Sequence, residues 1–219
     1  MKKLIIFGNT IVAQLAHFYF TRDSKYEVVA FTVDESYKTS DFYLEKPLVS
    51  FKTMTAIYPP DEFELFIAIG PSAMNTFREN KVREAKSMGY RLATHISQYS
   101  ICHSPVGPNS LVADGVIINP FAQIGENNFF WEHSLITNES FIGDHCYFSP
   151  KSVVSSFCKI ENNCVVGTSS VIKARVRLAE KTLVGASCYI ANDTDFKGVY
   201  GRKSTELLGC ISDKIDISK

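Results

Sequence analysis

Residues 142–173 read IGDHCYFSPKSVVSSFCKIENNCVVGTSSVIK, and they divide into sixes: IGDHCY, FSPKSV, VSSFCK, IENNCV, VGTSSV. Each six opens on a large apolar residue, continues with two turn-like residues and carries a small residue at its fifth position. The register extends in both directions, through Val106, Val112, Ile118, Ile124, Phe130, Ile136, Ile142, Phe148, Val154, Ile160, Val166, Ile172, Leu178, Val184 and Ile190. All are apolar, which at 45% hydrophobic residues is a chance outcome of about six in a million. Four residues further on stand Ser110, Ala122, Ser134, Ser140, Cys146, Ser152, Cys158, Cys164, Ser170, Thr182 and Cys188.

A fixed short period marks a solenoid. Six residues supply one flat strand and one corner, and three such units close a triangular coil. Coils stack at the ordinary strand spacing of ~4.8 Å. The expected architecture, from about Val106 to Asn192, is a left-handed parallel β-helix. Its large apolar residues point inward, with the small residues inward near the corners. Cys146, Cys158, Cys164 and Cys188 are then buried, reduced core residues, as suits a cytoplasmic protein. No CxxC pair occurs among the six cysteines, so no metal is expected.

The N-terminal half has a different rhythm. Leu4 to Phe7 predicts a strand, Gly8-Asn9-Thr10 a turn, and Ile11 to Phe20 a helix that offers Ile11, Leu15, Phe18 and Tyr19 for one face. Further strands are predicted at Glu27 to Val33, ending in Asp34, at Glu64 to Ile69, ending in Gly70, and at Tyr90 to Thr94. A helix from Ala73 to Met88, stopped by Gly89, separates the last two. Strands alternating with helices predict a small parallel α/β sheet that is Rossmann-like, with Gly8, Asp34 and Gly70 at the strand ends where such sheets hold ligands. GNTIVA keeps only the first glycine of G-x-G-x-x-G, which disfavours a full dinucleotide site and leaves a smaller phosphate-bearing ligand or an empty tight turn. The division read from the sequence is 1–97 for the nucleotide-sugar-binding domain, 98–195 for the β-helix and 196–219 for a tail.

The 219 residues carry 23 basic and 23 acidic side chains. Without a basic stripe, nucleic acid and membrane surface are not expected as partners. The apolar run after Met1-Lys2-Lys3 is too short for a signal peptide, and no run reaches the ~20 residues of a membrane span.

A short Rossmann-like domain followed by this β-helix resembles the sialic acid O-acetyltransferase-like family of sugar acyltransferases, which includes nucleotide-amino-sugar N-acetyltransferases. The strings that carry the resemblance are IIFGNTIVAQLAHFYF, VVAFTVDE, FIAIGPSAMN and FIGDHCYFSP. It implies a homotrimer with acetyl-CoA as co-substrate, the CoA lying between neighbouring β-helices. It also implies a nucleotide-linked amino sugar, such as a dTDP-4-amino-4,6-dideoxyhexose, contacting Gly8, Asn9, Thr10, Asp34, Gly70 and Asn75. The product would enter a bacterial surface glycan such as O-antigen. The family's catalytic histidine falls on Asn138 here, beside the retained acid Glu139. A later histidine of the family, which contacts the substrate or thioester, falls near Tyr147 or Lys151, and Tyr147 is thereby implied on the CoA side.

Attack on a thioester by an amine needs a neutral amine, a close carbonyl and a donor for the oxyanion. A placed general base contributes about 10² to 10⁴ in rate, whereas holding two substrates together supplies ~7 to 11 kcal/mol. An amine can therefore be acylated without a histidine, and a hydroxyl far less easily. Asn138 favours N-acylation, and is read either as a group that orients the amine or oxyanion or as a residue that suits a corner. Glu139 is read as an acceptor for the amine or as a solvated carboxylate. His133 and His145 should point outward, as substitute bases from a neighbouring subunit or as surface histidines. Trp131 should pack on a neighbouring subunit or a ligand. Gly167, Gly185 and Ala186 would let a pantetheine arm run close to backbone, and Arg202 with Lys203 would hold its phosphates. The alternatives are a sugar O-acetyltransferase and a trimer that binds nucleotide sugar without catalysis.

Overall fold

The structure, a computed structural model, describes residues 1–202; Lys203 and Cys210 lie outside the described residues. The N-terminal elements are β1 (Lys2–Phe7), α1 (Ile11–Asp23), β2 (Tyr26–Val33), β3 (Phe42–Tyr43), β4 (Lys46–Ser50), β5 (Phe63–Ile67), α2 (Thr76–Ser87) and β6 (Arg91–Leu92). They build one sheet in the order β3-β4-β2-β1-β5-β6, parallel except for the β3 hairpin edge. Side chains alternate across a strand. Leu4 and Ile6 thus join the core on the α1 side, and Ile5 and Phe7 the core on the α2 side, with Val82 and Ala85. Two α-helices stand where a doubly wound sheet of this size would carry more.

Two expectations need correction. The buried stripe of α1 is Val12, Ala13, Ala16, Tyr19 and Phe20, while Ile11 and Phe18 are exposed. The pair β3 and β4 was not foreseen, because Pro47 inside a five-residue run argues against a strand. That proline is tolerated beside the short edge hairpin.

The repeats form a three-faced parallel β-helix. Its paired strands run from His95–Ile96 to Val199–Tyr200, each two residues long and each pairing with the strand eighteen residues on, save at the two ends. The three sheets hold seven, six and four strands. Every inward apolar residue in the register is buried except Val106 and Ile124, which pack half-buried against the same core, and every small residue four places on is buried. Phe130 and Phe148 stack at 4.9 Å with planes 7° apart. Cys146, Cys158, Cys164 and Cys188 are buried free thiols.

The corners explain the period. The third residue after each inward one from Val106 to Val184 has positive φ: Asn109, Gly115, Phe121, Asn127, His133, Glu139, His145, Lys151, Phe157, Asn163, Ser169, Arg175, Lys181 and Ser187. Left-handed backbone costs a non-glycine residue roughly 1–2 kcal/mol, and here the stacked ladder above and below imposes it. The left-handed residue of the Asn138 corner is Glu139, so Asn138 is not there for its tolerance of that backbone.

The outward residues differ by face. On the seven-stranded face Leu111, Phe129 and Val165 are buried, and Phe66 of β5 stacks on Phe129 at 5.6 Å. This is the docked face. The six-stranded face presents Ile101, Ile117, Leu135, Val153, Val171 and Tyr189, none of them buried. This is the aliphatic face. The four-stranded face presents Gln123, Phe141, Lys159 and Arg177.

Because Phe148 fills a fully enclosed layer, Phe148→Ala is expected to destabilise the chain by about 3–5 kcal/mol. Denaturant unfolding measures this. A loss under about 1 kcal/mol would mean that the layers collapse around the gap.

Candidate functional site

The C-terminal ends of β1, β2 and β5 open into a cleft of ≈ 640 Å³. Its walls include Gly8, Asn9, Thr10, Asp34 and Gly70, the residues singled out at the strand ends, together with Tyr37, Phe77, Asn80, Lys81 and Glu84. Gly8 has φ +126°, and a Cβ there would stand 2.8 Å from the Ala68 carbonyl oxygen. Only glycine lets β1 and β5 approach so closely at this turn. The first turn of α1 carries neither an acidic residue nor a side-chain cap from Thr10, so its N–H groups face the cleft end of the sheet uncapped. Asn9 Nδ2 donates to the Tyr37 carbonyl at 3.1 Å.

Lys81 crosses the floor, 2.7 Å from both Asp34 Oδ1 and Glu84 Oε2, with its Nζ 4.6 Å from the Phe51 ring centre. Burial disfavours its charge, but the hydrogen bonds from Asp34 and Glu84 prevail and hold its pKa above the ordinary lysine value. The periodic reading did not pick out Lys81, Glu84, Tyr37 or Phe77. Lys81, Glu84 and Phe77 project from α2, a strongly charged helix whose sequence marks no ligand side.

Asn75 is not in this cleft. It is fully buried at φ +62°, and its Nδ2 donates to the carbonyls of Asn163 and Cys164 at 3.4 and 3.3 Å. It belongs to a seam in which α2 meets one corner column of the β-helix: Asn109, Asn127, His145 and Asn163. Asn109 is bonded twice to Ile67, accepting from its N–H at 2.7 Å and donating to its carbonyl at 3.2 Å. His145, expected to point outward, is half-buried here, with Nδ1 2.9 Å from Asn127 Nδ2. Burial lowers its pKa.

The candidate catalytic residues occupy three different corners of one coil. His133 stands exposed at the corner between the docked and aliphatic faces, its ring lying over Gly115. Asn138 and Glu139 stand at the far edge of the aliphatic face, and His145 at the α2 seam. One chain does not bring them together. Ser156 Oγ donates to Asn138 Oδ1 at 3.0 Å, which fixes the amide, and Nδ2 has no acceptor among the described residues. Glu139 is exposed. Trp131 is 4% exposed and packs within its own chain on Tyr147 and Phe129 at 6.0 and 6.4 Å.

The candidate CoA residues divide. Tyr147 is half-buried on the docked face, and burial raises its pKa. Gly167, Gly185 and Gly201 stack in successive coils at the His133 corner, where a Cβ on Gly167 would stand 2.6 Å from the Gly185 carbonyl carbon. Ala186 and Arg202 are exposed there, Arg202 Nη1 donating to the Ser187 carbonyl at 3.4 Å. Among the described residues no group of His, Cys, Asp and Glu is placed to hold a metal ion, and no helix is long and apolar enough to cross a membrane.

A second seam joins α1 to the first coil. Arg22 bonds both oxygens of Asp114 at 2.9 and 2.7 Å, and His95, 1% exposed, lies 3.4 Å from Asp23 Oδ1. Burial lowers the His95 pKa.

Both imidazoles thus resist protonation in the folded chain. The unfolded chain takes up their protons near pH ~6.5 and the folded chain resists, so stability is full above that value and falls as pH drops through it. The urea midpoint should decline between about pH 7 and about pH 5. A flat midpoint over that range would show that folding does not disfavour the charged imidazoles.

No protein-family model matches the chain, and no curated protein sequence matches it. Solved structures do. The acetyltransferase domain of PglB from Neisseria gonorrhoeae FA1090 matches with TM-score 0.82 at 16% identity, over 92% of this chain and 97% of that one. PerB from Caulobacter crescentus, solved with CoA and GDP-perosamine, matches with TM-score 0.80 at 19% identity, over 92% and 95%. A histidine-to-asparagine mutant of perosamine N-acetyltransferase from the same organism, also solved with CoA and GDP-perosamine, matches with TM-score 0.70 at 18% identity, over 92% and 94%. The chain therefore shares, along nearly its whole length, the fold of sugar N-acetyltransferases.

Proposed function

We propose that this chain is an acetyl-CoA-dependent N-acetyltransferase acting on a nucleotide-linked amino-deoxy sugar in the bacterial cytoplasm, for a surface glycan. The observation that carries the reading is the end-to-end fold likeness to a CoA- and GDP-perosamine-bound enzyme, joined to a cleft at the strand ends of the sheet. In this reading the N-terminal unit, about residues 1–97, is Rossmann-like and holds the nucleotide. The β-helix that follows, to about residue 195, coils left-handed, and the remainder is a tail.

The division of candidate residues supports a homotrimer with shared sites. The glycine column and Arg202 line one edge of the aliphatic face, and Asn138 lines the other. A three-fold axis pairs two different edges of one surface, because cyclic interfaces beyond the dimer are heterologous. Packing on the aliphatic face then brings the glycine edge of one subunit to the Asn138 edge of the next. A pantetheine arm along that edge runs parallel to the solenoid axis, with its phosphates at Arg202.

The chemistry follows from the Asn138 amide. Its Oδ1 is taken by Ser156, so Nδ2 is a donor, fit for the oxyanion formed when the sugar amine adds to the thioester carbonyl, and unfit to accept a proton. The neutral amine attacks, the tetrahedral intermediate expels CoA thiolate, and the ammonium proton leaves to water. In the Caulobacter mutant an asparagine in place of a histidine coexists with both bound ligands.

The test is thiol release from acetyl-CoA with dTDP-, UDP- and GDP-amino sugars, alongside light scattering for three times 24.5 kDa. Asn138→Ala should lower turnover about ten-fold, or ~1.4 kcal/mol. The rate should rise with pH until the amine is neutral and then level. A loss of 10² or more in His133→Ala, with a limb near pH ~6.5, would replace this mechanism by base catalysis. A preference for hydroxyl acceptors would make the enzyme an O-acetyltransferase. Nucleotide binding without turnover would leave a binding protein.

A further inference from the structure

We infer that Arg78 is a positioning residue for the diphosphate of the bound nucleotide: it fixes the Ile69–Gly70 peptide so that the Gly70 N–H points into the cleft. This rests on the nucleotide-sugar reading above.

Arg78 is 0% exposed, yet no carboxylate pairs with it among the described residues. Its guanidinium is met by neutral acceptors. Nε donates to Asn127 Oδ1 at 3.0 Å, and Nη2 to the carbonyls of Asn127, His145 and Cys146 at 3.3, 3.3 and 3.1 Å. Nη1 donates to the carbonyls of Ile69 and Gly70 at 3.1 and 3.5 Å. The plane lies over Phe129, 4.2 Å from the ring centre. A cation this deep is expensive to bury without a counter-charge, and burial pushes its pKa down.

Ile69 and Gly70 line the cleft and Arg78 does not, so the guanidinium sits one peptide layer behind the wall. No peptide in the described chain is cis. In a trans peptide the C=O and the next N–H point in opposite directions. With the Ile69 carbonyl turned back to Arg78, the Gly70 N–H is turned forward into the cleft. It donates to no backbone acceptor among the described residues. The carbonyl bond to a cation also polarises that peptide and strengthens the donor. Arg78 is itself held from behind, because Asn127 accepts from both Arg78 and Asn109, and Asn109 is bonded to Ile67. An anion in front of Gly70 would supply the counter-charge that the interior lacks. A diphosphate fits that position. A neutral nucleoside does not use it.

Calorimetric titration of the full chain with GDP, UDP and dTDP, each against its own nucleoside, tests this. Arg78→Met should weaken the tightest-binding diphosphate about ten-fold or more and leave its nucleoside within about two-fold. Equal weakening of both, or a fall in thermal midpoint with both affinities unchanged, would mean that Arg78 only holds the fold together. That result overturns the inference and leaves the proposed activity standing. Should Arg78→Met fail to fold, Gly70→Pro deletes the N–H while keeping Arg78. It must show the same loss confined to the diphosphate, and its absence is equally fatal. A wild-type chain that binds none of the three diphosphates overturns this inference and the proposed activity together.

Discussion

Closure of the eighteen-residue coil is the constraint on which the remainder depends. Each coil must turn three corners in register with the coil below, and the corner residue takes positive φ whatever its side chain, be it Phe121, Lys151 or Arg175. No single corner is stable alone, since each pays a local backbone penalty. Stacking recovers it, because every two-residue strand is bonded above and below and every inward residue meets its own kind one coil away. The solenoid tolerates almost any residue at the corner for that reason. Corner columns are thereby free to carry recognition.

The three faces show the same logic at larger scale. Their inner sides are interchangeable, and their outer sides decide what the molecule can do. The docked face takes the N-terminal sheet through Phe129, on which Phe66 stacks. The aliphatic face repeats Ile, Ile, Leu, Val, Val and Tyr along six strands, and none of these six is buried by the described residues. A stripe of that regularity would be a liability on a monomer. Its two edges carry the two halves of the proposed site, which is why a single chain looks incomplete.

The solenoid was legible because it repeats: one residue in six, fifteen times over, leaves no other reading, and burial of the small row from Ser110 to Cys188 follows from the same count. The N-terminal strands were legible from their apolar runs. What failed to show was whatever depends on the meeting of two distant segments. Nothing in Asn75 distinguishes a cleft residue from a seam residue until α2 is laid against Asn163. His145 looked like an outward imidazole because periodicity gives a direction and not a neighbour. Arg78 sat on a charged helix, in the sequence TFREN, where an arginine is normally solvated. The signal that points to it is the corner column Asn109, Asn127, His145, Asn163, whose polar, bond-rich character contrasts with the mixed residues of the other two columns.

The two seams have different chemical characters, and the difference bears on function. The α1 seam pairs its cation directly with carboxylates: Arg22 meets Asp114 and Asp23, and the buried imidazole of His95 lies beside Asp23. Such a seam has counter-charges within the fold, and it holds the two halves together. The α2 seam has no carboxylate for its cation among the described residues. It buries a guanidinium among carbonyls and an aromatic face, with its nearest open side toward the cleft. Evolution of a merely adhesive contact has no use for an uncompensated cation when a methionine of similar volume would pack without desolvation. A charge retained in that position makes physical sense when an anion completes it for part of the working cycle. The same helix that carries Arg78 on its inner side carries Phe77, Lys81 and Glu84 on the cleft side, so a ligand that settles in the cleft bears on both. The geometry of the proposed nucleotide site is in this way tied to the corner column of the β-helix, which the stacked coils hold in register.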